Sequence, residues 1–318
     1  MANRVCMLLG IRYPIFQGAM TNVTDPALVS AVSNAGGLGI YAPGIENIDL
    51  NYVREQIQEI KRLTDRPFGV NLMLASEAAP QIVRLVCEER IPVVTTGAGN
   101  PSKYMDTLKA AGVRVIPVVS TVRAAIKMEA AGADALVVSG MEGGGYIGNI
   151  STLTLVPQAV DAVRIPVLAA GGFADGRGLA AAMMLGAEGI QMGTRFLTVQ
   201  ECSIPDWCKA ALVGSGSQDA VILGNRIGAK AKLRVLGTTK MRELIDYEGS
   251  PQADMGRFGQ MISEARGTQY SKGLDGTLIG LGQVVGLINN QPTVEELIKS
   301  IISEYNALQK MNLEEVSV

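Results

Sequence analysis

Three glycine-rich segments follow short apolar runs in this chain: Ser139-Gly140-Met141-Glu142-Gly143-Gly144-Gly145, Ala169-Ala170-Gly171-Gly172 and Gln191-Met192-Gly193-Thr194. Glycine lets backbone N–H groups approach an anion closely, and a following helix N-terminus adds favourable potential. The second and third segments read as a phosphate grip, with Gly171 and Gly172 on one side. Gln191, Met192, Gly193 and Thr194 stand on the other, and the Thr194 hydroxyl is a further donor. Gln17-Gly18-Ala19-Met20 and Asn71 add amides and backbone groups. A planar heteroaromatic ring needs such donors and acceptors around its edge and apolar contact on its face. FMN fits both halves of this pattern.

The rest of the composition removes other chemistries. The chain has 318 residues and no histidine. A Ser-His-Asp triad, a Cys-His dyad and an imidazole proton shuttle are excluded. A catalytic zinc or non-haem iron site is not expected either. Four cysteines, Cys6, Cys87, Cys202 and Cys208, form no Cys-x-x-Cys pair and read as buried small hydrophobes. Lys and Arg number 28 against 30 Asp and Glu, which argues against a nucleic-acid-coating surface. The N-terminus lacks an apolar signal stretch and no run is long enough to span a membrane, so a cytoplasmic protein is expected.

The elements that must position these residues show a rhythm. Apolar runs begin near Pro14, Leu38, Phe68, Pro92, Arg114, Asp134, Pro166 and Gly189. Their spacing of roughly 20–32 residues is that of one strand-helix unit. The runs are continuous rather than alternating, as in parallel strands buried on both faces. Asp25-Pro26 reads as an N-cap followed by proline at the first helical position, and Asn34-Ala35-Gly36-Gly37 as the glycine stop. Eight units predict an α/β fold, a (β/α)8 TIM barrel over residues 1–199. A doubly wound sheet would usually show a Gly-x-Gly-x-x-Gly turn after its first strand, and Gln17-Gly18-Ala19-Met20 does not match. The rhythm stops near Gln200, so residues 200–285 are expected to form an insertion subdomain over the barrel mouth. Residues 286–318 should hold a helix that packs back on the barrel, opened by a capping box of Thr293 and Glu296.

Tyr13-Pro14-Ile15-Phe16-Gln17-Gly18-Ala19-Met20, Ala35-Gly36-Gly37-Leu38-Gly39-Ile40, Pro67-Phe68-Gly69-Val70-Asn71 and Gly193-Thr194-Arg195-Phe196 together resemble the nitronate monooxygenase superfamily of FMN barrels. Within it, the segment Val94-Thr95-Thr96-Gly97-Ala98-Gly99-Asn100-Pro101-Ser102-Lys103-Tyr104-Met105 looks most like the FMN-dependent type II enoyl-ACP reductases. The resemblance implies non-covalent FMN, reduced by NADH or NADPH, and hydride transfer to a trans-2-enoyl thioester carried by an acyl carrier protein or CoA. It places Gly18, Met20 and Asn71 against the flavin. Gly171, Gly172, Gly193 and Thr194 would hold its phosphate, and Gln283 would approach the ring from the C-terminal segment. Gln17, Ala19, Thr96, Ser139, Gln191 and Met192 complete the cofactor-binding candidates. A homodimer is the family expectation.

The departures bear on mechanism. Where the family carries a histidine after the sixth strand, this chain has Tyr146, and Ser139 replaces an acid. Either the Tyr146 phenol donates a proton or hydrogen-bonds a thioester carbonyl, or Tyr146 only packs. Glu142 is the nearby carboxylate, a second catalytic candidate or a solvated loop residue. Arg226, Lys230, Lys232, Arg234, Lys240 and Arg242 form a stretch without intervening acids. It would receive the phosphates of NAD(P)H or CoA, or an acidic carrier protein, or would be a solvated face. The expected function is an FMN-dependent NAD(P)H oxidoreductase reducing enoyl thioesters. The alternatives are a nitronate monooxygenase, an NADH:quinone reductase or a non-catalytic flavin- or acyl-binding protein.

Overall fold

Short β-branched runs, several opened by proline, become parallel strands with helices between them. The computed structural model describes residues 3–310, apart from 46, 230, 268, 269, 271 and 272. Eleven strands are present among these residues: β1 (Ile15–Gln17), β2 (Ile40–Tyr41), β3 (Gly69–Met73), β4 (Val93–Gly97), β5 (Arg114–Val119), β6 (Leu136–Ser139), β7 (Gly145–Ile147), β8 (Val167–Ala170), β9 (Ile190–Met192), β10 (Ala220–Leu223) and β11 (Lys232–Leu236). Eight of them form one parallel sheet in the order β1-β9-β8-β6-β5-β4-β3-β2. The two ends meet through Gln17 N–H to Leu38 O at 3.0 Å and Leu38 N–H to Ile15 O at 2.9 Å. The sheet thus curls into a TIM barrel.

Side chains alternate across each strand, so one set fills the barrel and the other faces the helices. Phe16, Leu38, Ile40, Val93, Ile116, Val137 and Leu168 form the inner plug. The short helix Arg4–Leu9 adds Val5 and Leu9 to the same cluster and closes the barrel floor. Val70, Leu72 and Val94 face outward against Ile57, Ile60, Ile82 and Leu108 of the surrounding helices. The helix starts have local causes. Asp25 accepts from Leu28 N–H, Thr121 from Ala124 N–H and Asp175 from Gly178 N–H, each satisfying a first-turn donor.

Beyond residue 200 the chain builds a second, antiparallel sheet in the order β10-β11-β7. Its third strand comes from the barrel, from the loop that follows β6. Helices Thr239–Glu248 and Met255–Gly267 back this sheet, with Leu233, Val235, Met241, Leu244 and Phe258 in its own small core. The last described helix, Val294–Lys310, opens with Thr293 N–H donating to Glu296 Oε2 at 2.8 Å and Glu296 N–H donating to Thr293 Oγ1 at 3.2 Å. It lies against helix Gly176–Met184, where Gly176 N–H donates to Glu304 Oε2 at 2.7 Å. A Cβ at Gly176 would stand 2.6 Å from Ile301 O, so only glycine permits this approach. Residues 311–318, the expected frayed end, lie outside the described residues. Among the described residues no helix is long and apolar enough to cross a membrane.

Candidate active site

A cavity of about 680 Å³ opens at the carboxyl ends of the barrel strands, within the range of cofactor pockets. Above the apolar plug, the inward positions turn polar. Asn71, Thr95, Ser139 and Gln191 line the cavity floor. Asn71 Nδ2 donates to Thr95 Oγ1 at 3.1 Å, which fixes the orientation of the amide. Gln191 lies against Gly18, where an added Cβ would come within 3.2 Å of its side chain. Ala19, Met20, Met73 and Ala170 supply apolar walls.

Four sequence candidates fall outside this lining: Thr96, Gln17, Gln283 and Glu142. Thr96 shares the side of β4 with Val94 and turns toward the helices; its hydroxyl is buried without a partner among the described residues. Thr95, one residue earlier, takes the inward position. Gln17 is fully buried, accepts from Ile40 N–H at 3.0 Å and donates to Gly18 O. It is a strut between β1 and β2 rather than a lining residue.

The ends of β8 and β9 form a donor-rich corner. Gly171 and Gly172 take φ values of 92° and 86°, the left-handed region that favours glycine. Among the described residues, the N–H groups of Gly172, Gly193 and Thr194 have no acceptor. Thr194 Oγ1 accepts from Gly282 N–H at 2.9 Å, which leaves its own proton to donate. These free donors suit a phosphate. The polar floor and apolar walls suit a flavin ring, so the residues fit FMN. Arg195 does not join them. Its guanidinium donates to Thr198 Oγ1 at 2.8 Å and Asn290 Oδ1 at 2.6 Å, and burial lowers its pKa to about 10. Gln283 does not line the cavity, although its neighbours Gly282 and Val284 do. Its backbone N–H donates to Glu142 O at 3.0 Å.

The loop after β6 forms the remaining wall. Glu142 does not line the cavity. Its carboxylate accepts from Thr152 N–H at 3.0 Å and from Thr152 Oγ1 at 2.7 Å, capping the helix Thr152–Ala162. Tyr146 reaches the cavity, half exposed, on β7 opposite Leu233. Arg234 holds this loop from below. It is buried, and its Nη2 donates to Met141 O at 3.1 Å while Nη1 donates to Ala220 O at 3.2 Å. Desolvation lowers its pKa, opposed by the charge of Glu142.

Of the basic stretch, Arg234 is withdrawn beneath the small antiparallel sheet and is no part of an exposed face. Lys240 pairs with Glu243 at 3.1 Å, Arg242 Nε donates to Gly237 O at 3.0 Å, and Lys230 lies outside the described residues. Among the described residues, the cation that lines the cavity is Arg266, which no charge run marked. Among the described lining residues, the ionisable side chains are Tyr146, Tyr270 and Arg266.

The family model described as nitronate monooxygenase matches residues 3–83 and 76–304. A (3aS,4S,5R,7aS)-5-hydroxy-7a-methyl-1-oxo-octahydro-1H-indene-4-carboxyl-CoA dehydrogenase from Rhodococcus jostii (strain RHA1) is 36% identical over 332 residues, covering 93% of this chain and 94% of its own length. A probable nitronate monooxygenase from Staphylococcus aureus (strain Newman) is 34% identical over 293 residues, covering 78% of this chain and 81% of its own. The structure of FabK from Thermotoga maritima superposes with a TM-score of 0.91 at 40% identity, covering 98% of both chains.

Proposed function

The chain belongs to the nitronate monooxygenase family, and from that premise we propose that it is an FMN-dependent NAD(P)H oxidoreductase that reduces trans-2-enoyl thioesters. When bound, FMN supplies the two-electron relay between the nicotinamide and the acceptor. The protein's part is to hold, orient and protonate. Gly172, Gly193 and Thr194 offer N–H donors for the phosphate. Asn71, Thr95, Ser139 and Gln191 offer polar edges for the ring, and Ala19, Met20, Met73 and Ala170 offer apolar contact.

One observation carries the choice of reaction. Among the described residues, the cavity is lined by no carboxylate, imidazole, amine or thiol. A neutral nitroalkane must lose an α-proton to a base before it can be oxidised, and neither a phenol nor a guanidinium is a good base at pH 7. An enoyl thioester makes the opposite demand: a hydrogen bond to its carbonyl oxygen and a proton delivered to its α-carbon. The Tyr146 hydroxyl is a donor and stands on the cavity wall. The CoA thioester in the name of the Rhodococcus relative supports an acyl-thioester ligand. The reading includes CoA or an acyl carrier protein as acyl carrier, a homodimer and a cytoplasmic location; four unpaired cysteines support the last.

The same lining leaves a second reading, oxygen-dependent oxidation of a nitronate that arrives already ionised. An anaerobic half-reaction separates the two. The FMN-loaded protein is reduced with NADH or NADPH, a short trans-2-enoyl thioester is added without oxygen, and the flavin absorbance is followed. Rapid return of the oxidised spectrum is the expected result. A flavin that stays reduced with the thioester, yet turns over a nitronate in oxygen, would replace the first reading by the second.

A further inference from the structure

The second, antiparallel sheet ends in an edge that no described strand pairs. β7 is the outermost of its three strands. Gly145 stands opposite Arg234, Tyr146 opposite Leu233 and Ile147 opposite Lys232. In an antiparallel pair, residues alternate between exchanging hydrogen bonds and turning their backbone groups away.

β11 fixes which is which. β10 occupies one side of Leu233–Leu236, and the segment around Gly280 bridges Val235 on the other, the side of β7. On that side Leu281 N–H donates to Arg234 O at 3.2 Å, and Leu236 N–H donates to Ile279 O at 2.9 Å. The even-numbered residues of β11 therefore turn their backbone groups toward β7. Gly145 and Ile147 take the hydrogen-bonded positions. Tyr146 turns its N–H and C=O outward, and neither has a partner among the described residues. Gly145, Tyr146, Ile147 and Gly148 all line the cavity, so this edge borders its mouth.

We propose that the outward N–H and C=O of Tyr146 form a subsite for the pantetheine arm shared by CoA and carrier-protein thioesters. The inference rests on the enoyl-thioester reading and deepens it. The arm is an extended chain with two amides, joined through sulfur to the acyl group that must reach the cavity floor. An extended amide chain beside an open strand edge pairs as an added strand does, with main-chain hydrogen bonds supplying the affinity. The contact uses backbone only. It recognises the arm on either carrier, and the adenosine portion or the carrier protein adds its contacts elsewhere.

Wild-type protein tests this directly. One trans-2-enoyl group is presented as the pantetheine thioester, the N-acetylcysteamine thioester and a simple alkyl thioester, carrying two, one and no amides. A lost hydrogen bond should lower kcat/KM roughly fivefold, expressed in KM while kcat holds. CoA and carrier-protein thioesters measured alongside show what each carrier adds beyond the arm. In parallel, hydrogen-deuterium exchange across residues 145–148 is read with the saturated acyl-pantetheine and with the saturated alkyl thioester. Slower exchange at the Tyr146 amide with the first and not the second is expected. Equal kcat/KM for all three substrates, or an unchanged Tyr146 amide, overturns the subsite. Failure of every thioester to reoxidise the reduced protein overturns the enoyl reading instead, while the exchange experiment still judges the edge.

Discussion

Asn71 donates through Nδ2 to Thr95 Oγ1 at 3.1 Å, across the neighbouring strands β3 and β4. That one bond leaves the amide oxygen and the second N–H of Asn71 for a ligand on the cavity floor. Thr95→Val keeps the shape and removes the acceptor. The expected loss is about 1 kcal/mol of FMN affinity, roughly fivefold in Kd, with Thr95→Ser close to wild type. Fluorescence titration of the apoprotein with FMN measures it.

Tyr146 is the ionisable hydroxyl whose backbone is fixed on β7 beside the mouth. Tyr146→Phe keeps the ring that faces Leu233 and removes the proton donor. FMN affinity and flavin reduction by NAD(P)H should be unchanged, and reoxidation by an enoyl thioester should slow about 10²-fold. Stopped-flow measurement of the two half-reactions separates these effects. Equal loss in both would assign Tyr146 to packing.

Gly171 and Gly172 both take a positive φ but differ in surroundings. A Cβ at Gly171 would come within 2.9 Å of Gly140 O, whereas one at Gly172 meets nothing nearer than Glu142 Cβ at 3.7 Å. Gly172→Ala should therefore cost only the left-handed backbone penalty, about 1 kcal/mol. Gly171→Ala should cost about 2–3 kcal/mol, because the neighbouring backbone must also move. Thermal unfolding of both apoproteins tests the order, and FMN titration shows how each change reaches the phosphate corner.

Arg234→Met keeps much of the buried stem and leaves Met141 O and Ala220 O without their donor. A loss of about 2 kcal/mol in stability is expected. Because Met141 belongs to the loop that leads into β7, enoyl-dependent reoxidation should fall more than FMN affinity. Chemical denaturation and the half-reaction assay read the two.

Burial pushes the Cys202 thiol up to about 11 and that of Cys208 to about 12; Cys6 is raised to about 11 by the same cause. A raised thiol pKa means less thiolate at a given pH and slower alkylation. Iodoacetamide at pH 8 should leave Cys202 and Cys208 unmodified in the folded protein and leave turnover intact. Mass spectrometry before and after unfolding checks the contrast.

The eight barrel strands were legible because each needs only a short apolar run and a break after it, both local properties. Pro14, Pro92 and Pro166 each stand just ahead of a strand. The inner and outer faces were harder to read. Thr95 and Thr96 differ by one position, and only the register of β4 decides which meets the cavity. Gln17 carried the right chemistry, yet its place beside β2 turned it into a strut. β7 left no signal at all: three residues in a glycine-rich loop become a strand only because β11, far along the chain, lies beside them. For the same reason Arg234, one of a run of cations in the sequence, is buried under the loop it supports.

Thr194 Oγ1 accepts from Gly282 N–H, and Glu142 O accepts from Gln283 N–H. The pocket wall is therefore unfinished until the chain has been synthesised past residue 283, long after the eight barrel strands have left the ribosome. A nascent chain halted after β9 holds the glycines of the phosphate corner but not the segment that braces them. On the proposed FMN reading, capture of the cofactor by a fully braced pocket is therefore a late act of biosynthesis.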